Sequence, residues 1–326
     1  MVVGPSLWIS HATLQANPRL MPYPPPVPRY KLTIAYDGTD FCGWQKQEPY
    51  ADAQHANPAT LEDRVQRGTA GELKLQVQSY IQREGEDRQR AQLRTVQHVV
   101  ERAVREIVRE PIVLMGASRT DAGVHAKGQV GAFTCSGDDE AQGRSGGWPL
   151  SRGTDRLLQA VNGRLPPDVL ITAIEPATPT FDPISDCTAK AYSYTIHASR
   201  ARPLWDRRYV AHIWEQLDAA KMHEAAKRLI GEHDFAAFAT AGHGRLTTVR
   251  TIFDCSVTRE NDRIRIDVSG SGFLYNMVRI IAGTLTEAGR GRFTPDDITR
   301  IIESKDRRNA GATMPPEGLC LEWIRY

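Results

Sequence analysis

The sequence has no cysteine arrangement that could serve as a framework. Its five thiols, Cys42, Cys135, Cys187, Cys255 and Cys320, are odd in number and far apart, with no C-x-x-C pair and no nearby paired histidines. A disulfide scaffold and a zinc site of the usual spacing are thereby excluded, no metal is expected, and a reduced cytoplasmic setting fits best. Long apolar runs are also missing: the best one, Phe273 to Leu285, is broken by Asn276 and Arg279, so no membrane span is expected. The opening MVVGPSLWIS has neither a basic leader nor a small-residue cleavage site, which again points to the cytoplasm. Neither G-x-G-x-x-G after a strand nor G-x-x-x-x-G-K-[ST] occurs, so nucleotide-cofactor folds lose their main support. A surplus of either charge is lacking as well. Lys plus Arg is 41 against 39 for Asp plus Glu, a net of +2, so affinity for an anionic partner must come from a local face. Lys127, Arg200, Arg202, Arg207 and Arg208 are the candidates for that face, although any one such run taken alone is more often an ordinary solvated surface.

What is present is a chain of 326 residues with 40% apolar content, enough to bury a core and to form two domains. A proline-dense arm, residues 1–28, ends in MPYPPPVP. An N-terminal α+β domain follows over 29–177, with insertions at about 48–94 and 136–153, and a C-terminal α+β domain covers 178–326. Alternation predicts a strand at Tyr30–Tyr36, closed by the Asp37-Gly38 turn. Apolar residues at helical spacing, Val96, Val99, Val100, Ala103, Val104, Ile107 and Val108, predict an amphipathic helix. In the first insertion a weaker helical stripe runs through Leu73, Val77, Tyr80 and Ile81. Further strands are expected at 111–117, 128–133, 169–174, 190–197, 209–213, near 249–257, at 264–268 and at the C-terminus, with helices at 155–162, 217–230, 273–288 and 295–303. Strands mixed with covering helices in each half indicate α+β architecture with antiparallel sheets.

Reactive groups concentrate in the loop SRTDAGVHA, residues 118–126, between two predicted strands. Taken alone, Asp121-Ala122-Gly123 reads as a turn, and His125 and Lys127 as solvated loop residues. The functional reading is an aspartate kept ionised by neighbouring positive charge such as Arg119, the state that a nucleophile or base requires. On the strand KAYSY, Lys190, Tyr192 and Tyr194 share one face, either as a half-buried strand or as a platform on which a base can stack. In GSGFLYNMVRIIAG, Phe273, Met277, Ile280 and Ile281 read as core. Arg279, on the same apolar helix, needs a partner, and Asp121 would satisfy it.

These pieces carry a resemblance. YDGTDFCGWQKQ (36–47), GASRTDAGVHAKGQV (116–130), FDPISDCTAKAYSYTIH (181–197), GEHDFAAF (231–238), GSGFLYNMVR (270–279) and the terminal EGLCLEWIRY occur in the order of the TruA family of tRNA pseudouridine synthases, which the chain resembles from Tyr30 to Tyr326. The resemblance implies two pseudo-related halves with antiparallel sheets side by side, helices on the outer face and a central cleft. It implies isomerisation of particular uridines in the tRNA anticodon stem-loop, without cofactor or metal, by a homodimer, and it suggests no membrane and no other protein partner. Carried across by motif, Asp121 matches the catalytic aspartate, Arg119 the arginine two positions before it, Tyr192 the active-site tyrosine and Arg279 the basic residue of the M-V-R helix. Tyr192, His125, Lys127 and Phe273 are the candidate substrate contacts. Ser271 stands where many members have Asn, and the arm and both insertions have no counterpart in short bacterial members. The rival from another class is a non-catalytic RNA-binding protein on the same scaffold, and a second is a nucleoside hydrolase using the same aspartate.

Overall fold

The computed structural model describes residues 27–47, 77–81, 90–137, 146–240 and 246–326. Most of the proline-rich arm, most of the first insertion and the middle of the second lie outside the described residues. Ten of the described strands build one sheet that takes strands from both halves. From the N-terminal half come β1 (Arg29–Tyr36), β4 (Met115–Gly116), β5 (His125–Thr134) and β6 (Val169–Ala177). From the C-terminal half come β7 (Ala189–Ala198), β8 (Ala211–Ile213), β9 (Gly231–Asp234), β10 (Val249–Glu260), β11 (Arg263–Gly270) and β12 (Leu319–Arg325). The main path is β6-β1-β5-β12-β7-β11-β10-β9, with β4 beside β5 and β8 beside β7. Each half is antiparallel within this path. The halves meet where β12 runs parallel to β5, pairing Cys320 with His125 and Leu321 with Ala126.

Register fixes which face each side chain takes. Tyr36 opposes Ala126, Ala126 opposes Leu321, Leu321 opposes Tyr192, and Tyr192 opposes Val268, so one row crosses the seam on a single face. All five are buried, and helices cover that face. Helix α1 (Val96–Val108) and α2 (Thr154–Asn162) serve the N-terminal half; α3 (Ala219–Ala226), α4 (Met277–Gly289) and α5 (Pro295–Ser304) serve the C-terminal half. The apolar stripe of α1 is buried as its spacing predicts, and Thr95 caps it by accepting from the His98 N–H. The alternate face of the central strands is polar: Glu322 accepts from Lys127, Ser193 and Arg265 there.

Several elements differ from the sequence-based expectation. The 77–81 stretch is not helical: β2 (Val77–Ile81) pairs with β3 (Arg90–Leu93) in a separate two-stranded sheet. Between Pro111 and Ala117 only Met115–Gly116 joins the sheet, because α1 takes over the neighbouring backbone. Glu101 accepts from the Leu114 N–H, and Arg105 donates to the Ile112 carbonyl. Helix α3 stops at Ala226 and tightens into a short 3-10 turn. The helix expected from Phe273 starts only at Met277, since Asn276 adopts a left-handed conformation, φ 62°, which an α-helix cannot continue through.

Candidate active site

The loop 117–124 hangs between β4 and β5 and is fastened from four directions. From β5, Gln129, fully buried, donates to the Ser118 carbonyl at 2.6 Å and accepts from the Ser118 N–H at 3.2 Å. From β7, Lys190 donates to the Ala117 carbonyl at 2.7 Å. From below, the 36–44 segment holds it: the Tyr36 and Thr120 hydroxyls share a 2.7 Å bond, and the Trp44 N–H donates to the Thr120 carbonyl. That close approach accounts for the glycines in YDGTDFCGW, since a Cβ on Gly38 would lie 1.9 Å from the Val124 oxygen and one on Gly43 2.7 Å from the Thr120 oxygen.

From the fourth direction comes charge. Arg279, in the first turn of α4, places Nη1 3.2 Å from Asp121 Oδ2. The same guanidinium donates through Nε to the Met314 carbonyl at 2.6 Å and through Nη1 to Asn276 Oδ1 at 3.0 Å. Its orientation is therefore set by a helix cap and a backbone carbonyl as well as by the aspartate. Side-chain exposures are 14% for Arg279 and 26% for Asp121, so the pair is sheltered but open to a substrate.

Tyr192 completes the group. Its hydroxyl shares a 2.9 Å bond with Ser118 Oγ, three residues from Asp121 in the same loop, and Phe273 meets its ring edge-on at a centroid distance of 5.2 Å. Burial pushes the phenol up to about 12, and the Asp121 charge adds to the rise while the Ser118 bond opposes it. Tyr192 is thus a neutral hydroxyl at any ordinary working pH.

The structure thereby gathers Asp121, Arg279, Tyr192 and Phe273 and leaves the other candidates apart. Arg119 is exposed, and among the described residues it makes no hydrogen bond or ion pair; the cation beside Asp121 is Arg279. Lys127 is paired with Glu322 on the sheet face opposite Tyr192. His125 is buried and already occupied. The Gly38 N–H donates to its Nδ1 at 3.1 Å, and its Nε2–H donates to the Arg208 carbonyl at 2.9 Å. Asp37 Oδ1 also stands 3.2 Å from Nδ1, but burial holds the imidazole below its ordinary pKa against the pull of Asp37, so the ring is neutral and the contact is not an ion pair. No group of His, Cys, Asp and Glu suited to a metal occurs among the described residues.

Comparison with known proteins decides what this arrangement belongs to. Residues 225–326 match the family model for tRNA pseudouridine synthase. The chain is 36% identical over 296 residues to tRNA pseudouridine synthase A 2 of Clostridium perfringens, covering 91% of this chain and 98% of that protein. It is equally similar to tRNA pseudouridine synthase A of Geobacter sulfurreducens, 36% with the same coverage, and is 37% identical over 295 residues to that of Caldicellulosiruptor saccharolyticus, covering 90% and 98%. The chain belongs to the tRNA pseudouridine synthase A family.

In this synthase, three contributors to the site escaped the reading of the sequence. Ser118 stands inside a quoted motif, yet only the fold shows that it reaches Tyr192, just as only the fold shows that Lys190, already read as sharing a face with Tyr192, reaches the Ala117 carbonyl. Asn276 had a usable signal, a capping-type residue directly before an apolar helical run. Glu317 had none. It sits in the turn beneath the loop, where Pro316 lies against Gly123, and burial pushes its carboxyl up to about 7 although nearby Arg279 pulls it down.

Proposed function

We propose that this synthase isomerises uridine to pseudouridine in the anticodon stem-loop of tRNA, with Asp121 acting at the sugar. The observation that carries the reading is the Asp121–Arg279 pair beside a buried tyrosine on the helix-bearing face of the seam. A protein that only bound RNA would need a positive surface but no sheltered carboxylate aimed by a guanidinium. The target nucleotide must leave its stack to reach such a site, and the Tyr192 and Phe273 rings offer the freed uracil an apolar wall. Asp121 then attacks C1′ or removes a proton from C2′, and the N1–C1′ bond breaks. The uracil turns within the site, and C5 joins C1′ as the Asp121–C1′ bond breaks or, on the other route, as Asp121 returns the proton to C2′. The C5 proton leaves to solvent while N1 gains one, so atoms and electrons balance within the nucleotide itself and no redox partner or group donor is required. Arg279 holds the carboxylate oriented, and the neutral Tyr192 hydroxyl is placed to hydrogen-bond the base.

A homodimer in the cytoplasm is part of the same reading, the dimer resting on the family resemblance and the compartment on cysteine usage; light scattering of the purified chain tests the dimer. The reaction is tested with unmodified tRNA tritiated at uracil C5. Wild-type protein is expected to release tritium and to leave pseudouridine at mapped positions, and Asp121→Asn to release none while binding tRNA nearly as well. Substantial turnover by Asp121→Asn would sink the assignment, and release of free uracil would point to a hydrolase instead.

A further inference from the structure

The segment between β7 and β8, residues 199–210, is the part of the surface least explained by the fold. Trp205 is 91% exposed and its neighbour Leu204 63%, although a tryptophan is among the side chains with most to gain from burial. Around it Arg200, Arg202, Arg207 and Arg208 are all exposed. The single acid in the segment, Asp206, is already taken by Arg263, so the cationic charge is not neutralised from within.

The segment is not a loose excursion. The Tyr209 N–H donates to the Asp206 carbonyl, and the Ser199 N–H donates to the Ile213 carbonyl. It also crosses from the C-terminal half to the N-terminal half. The Tyr209 hydroxyl donates to Asp37 at 2.8 Å, Arg208 pairs with Asp40 at 3.2 Å, and the Tyr209 ring packs on His125 at a centroid distance of 5.1 Å. His125 in turn donates to the Arg208 carbonyl, and it lies four residues after Asp121 on the strand that ends the catalytic loop. Trp205 is therefore displayed on a strap held in register with the active site.

We propose that this strap is a tRNA-docking platform in which Trp205 stacks on an unpaired nucleotide other than the one isomerised, while Arg200 and Arg202 take flanking phosphates. The inference rests on the tRNA reading above. Exposed aromatic rings among arginines suit single-stranded RNA, because every base offers a flat face and every linkage a negative charge. A second copy of the chain is the weaker occupant: a two-fold contact through this patch would set its arginines against the same arginines.

The test uses the full chain with Trp205→Ala, Trp205→Phe and Arg202→Ala, measuring tRNA affinity at two salt concentrations, KM and kcat for tritium release, and mass by light scattering. Trp205→Ala is expected to raise Kd and KM about tenfold, within the range found for loss of one base-stacking partner, with the loss falling on KM rather than kcat. Trp205→Phe should recover most of the affinity, and Arg202→Ala should lower the salt slope by about one. Wild-type affinity in Trp205→Ala overturns the proposal, and so does a fall in affinity that follows a change in mass, which would give the patch to a second copy. If wild-type protein itself releases no tritium from tRNA, the tRNA reading fails; if it does and Trp205→Ala is indistinguishable from it, only the docking platform fails.

Discussion

Replacing Arg279 tests the central pair most directly. Its guanidinium makes three contacts at once, to Asp121, Asn276 and the Met314 carbonyl, so the alanine variant removes a charge and two positioning bonds together. Exposed ion pairs contribute about 0–1 kcal/mol, and breaking a fully buried pair costs about 3–5. At 14% and 26% exposure this pair lies between those limits, so Arg279→Ala should lower stability by about 2–3 kcal/mol. The catalytic loss should be larger. A carboxylate displaced by about 1 Å loses on the order of a hundredfold in rate. A single-turnover tritium assay is expected to show a fall of about a hundredfold or more. Arg279→Lys keeps the charge, but a single ammonium cannot reproduce the fork that joins Asp121 to Met314, so it should fall between wild type and alanine. A thermal melt run beside the assay separates the two effects. An alanine variant that is destabilised yet turns over at the wild-type rate would refute the claim that Arg279 aims Asp121.

Tyr192→Phe keeps the edge-on contact with Phe273 and loses the bond to Ser118; if the hydroxyl takes part in proton transfer, turnover should drop about a hundredfold, and a fully active variant restricts the residue to stacking. Glu317, pushed up to about 7, favours the folded state in its neutral form, so its contribution is complete below its unfolded pKa near 4.5 and is lost as pH rises through 7. Glu317→Gln should therefore melt higher than wild type at pH 8 with little difference at pH 4, and an unchanged difference across that range would contradict the assignment. The first insertion should be removable, because its ends meet where the Leu93 N–H donates to the Gln47 carbonyl at 3.3 Å. The far boundary matters, since Arg94 is paired with both oxygens of Asp168 and its guanidinium sits 3.9 Å over Phe41. Rejoining Gln47 to Gln92 should leave a folded chain by circular dichroism, whereas a deletion extended through Arg94 should lower the melting temperature.

Local pattern made much of this molecule legible. The stripe from Val96 to Val108 and the alternation of Tyr30–Tyr36 needed only periodicity, and both faces are buried as the spacing demands. The RTDAGVHA loop was visible as a concentration of reactive groups, and Arg279 as a charge on an apolar helix that required a partner. Apart from the Arg279–Asp121 pair, what could not be read was what long-range strand pairing sets. The parallel contact of β12 with β5 joins residues about two hundred positions apart, and it alone turns Tyr192 and Tyr36 toward the same face. Position in a motif did not distinguish a side chain that enters the site from one that supports it. His125 and Lys127 lie within six residues of Asp121, yet the first is spent holding the 199–210 strap and the second is paired on the far face. Asp121 comes from one half, whereas Arg279 and Tyr192 come from the other. The seam is thus what assembles the chemistry, and the four-way fastening of the 117–124 loop keeps the carboxylate in register with a guanidinium that the N-terminal half does not own.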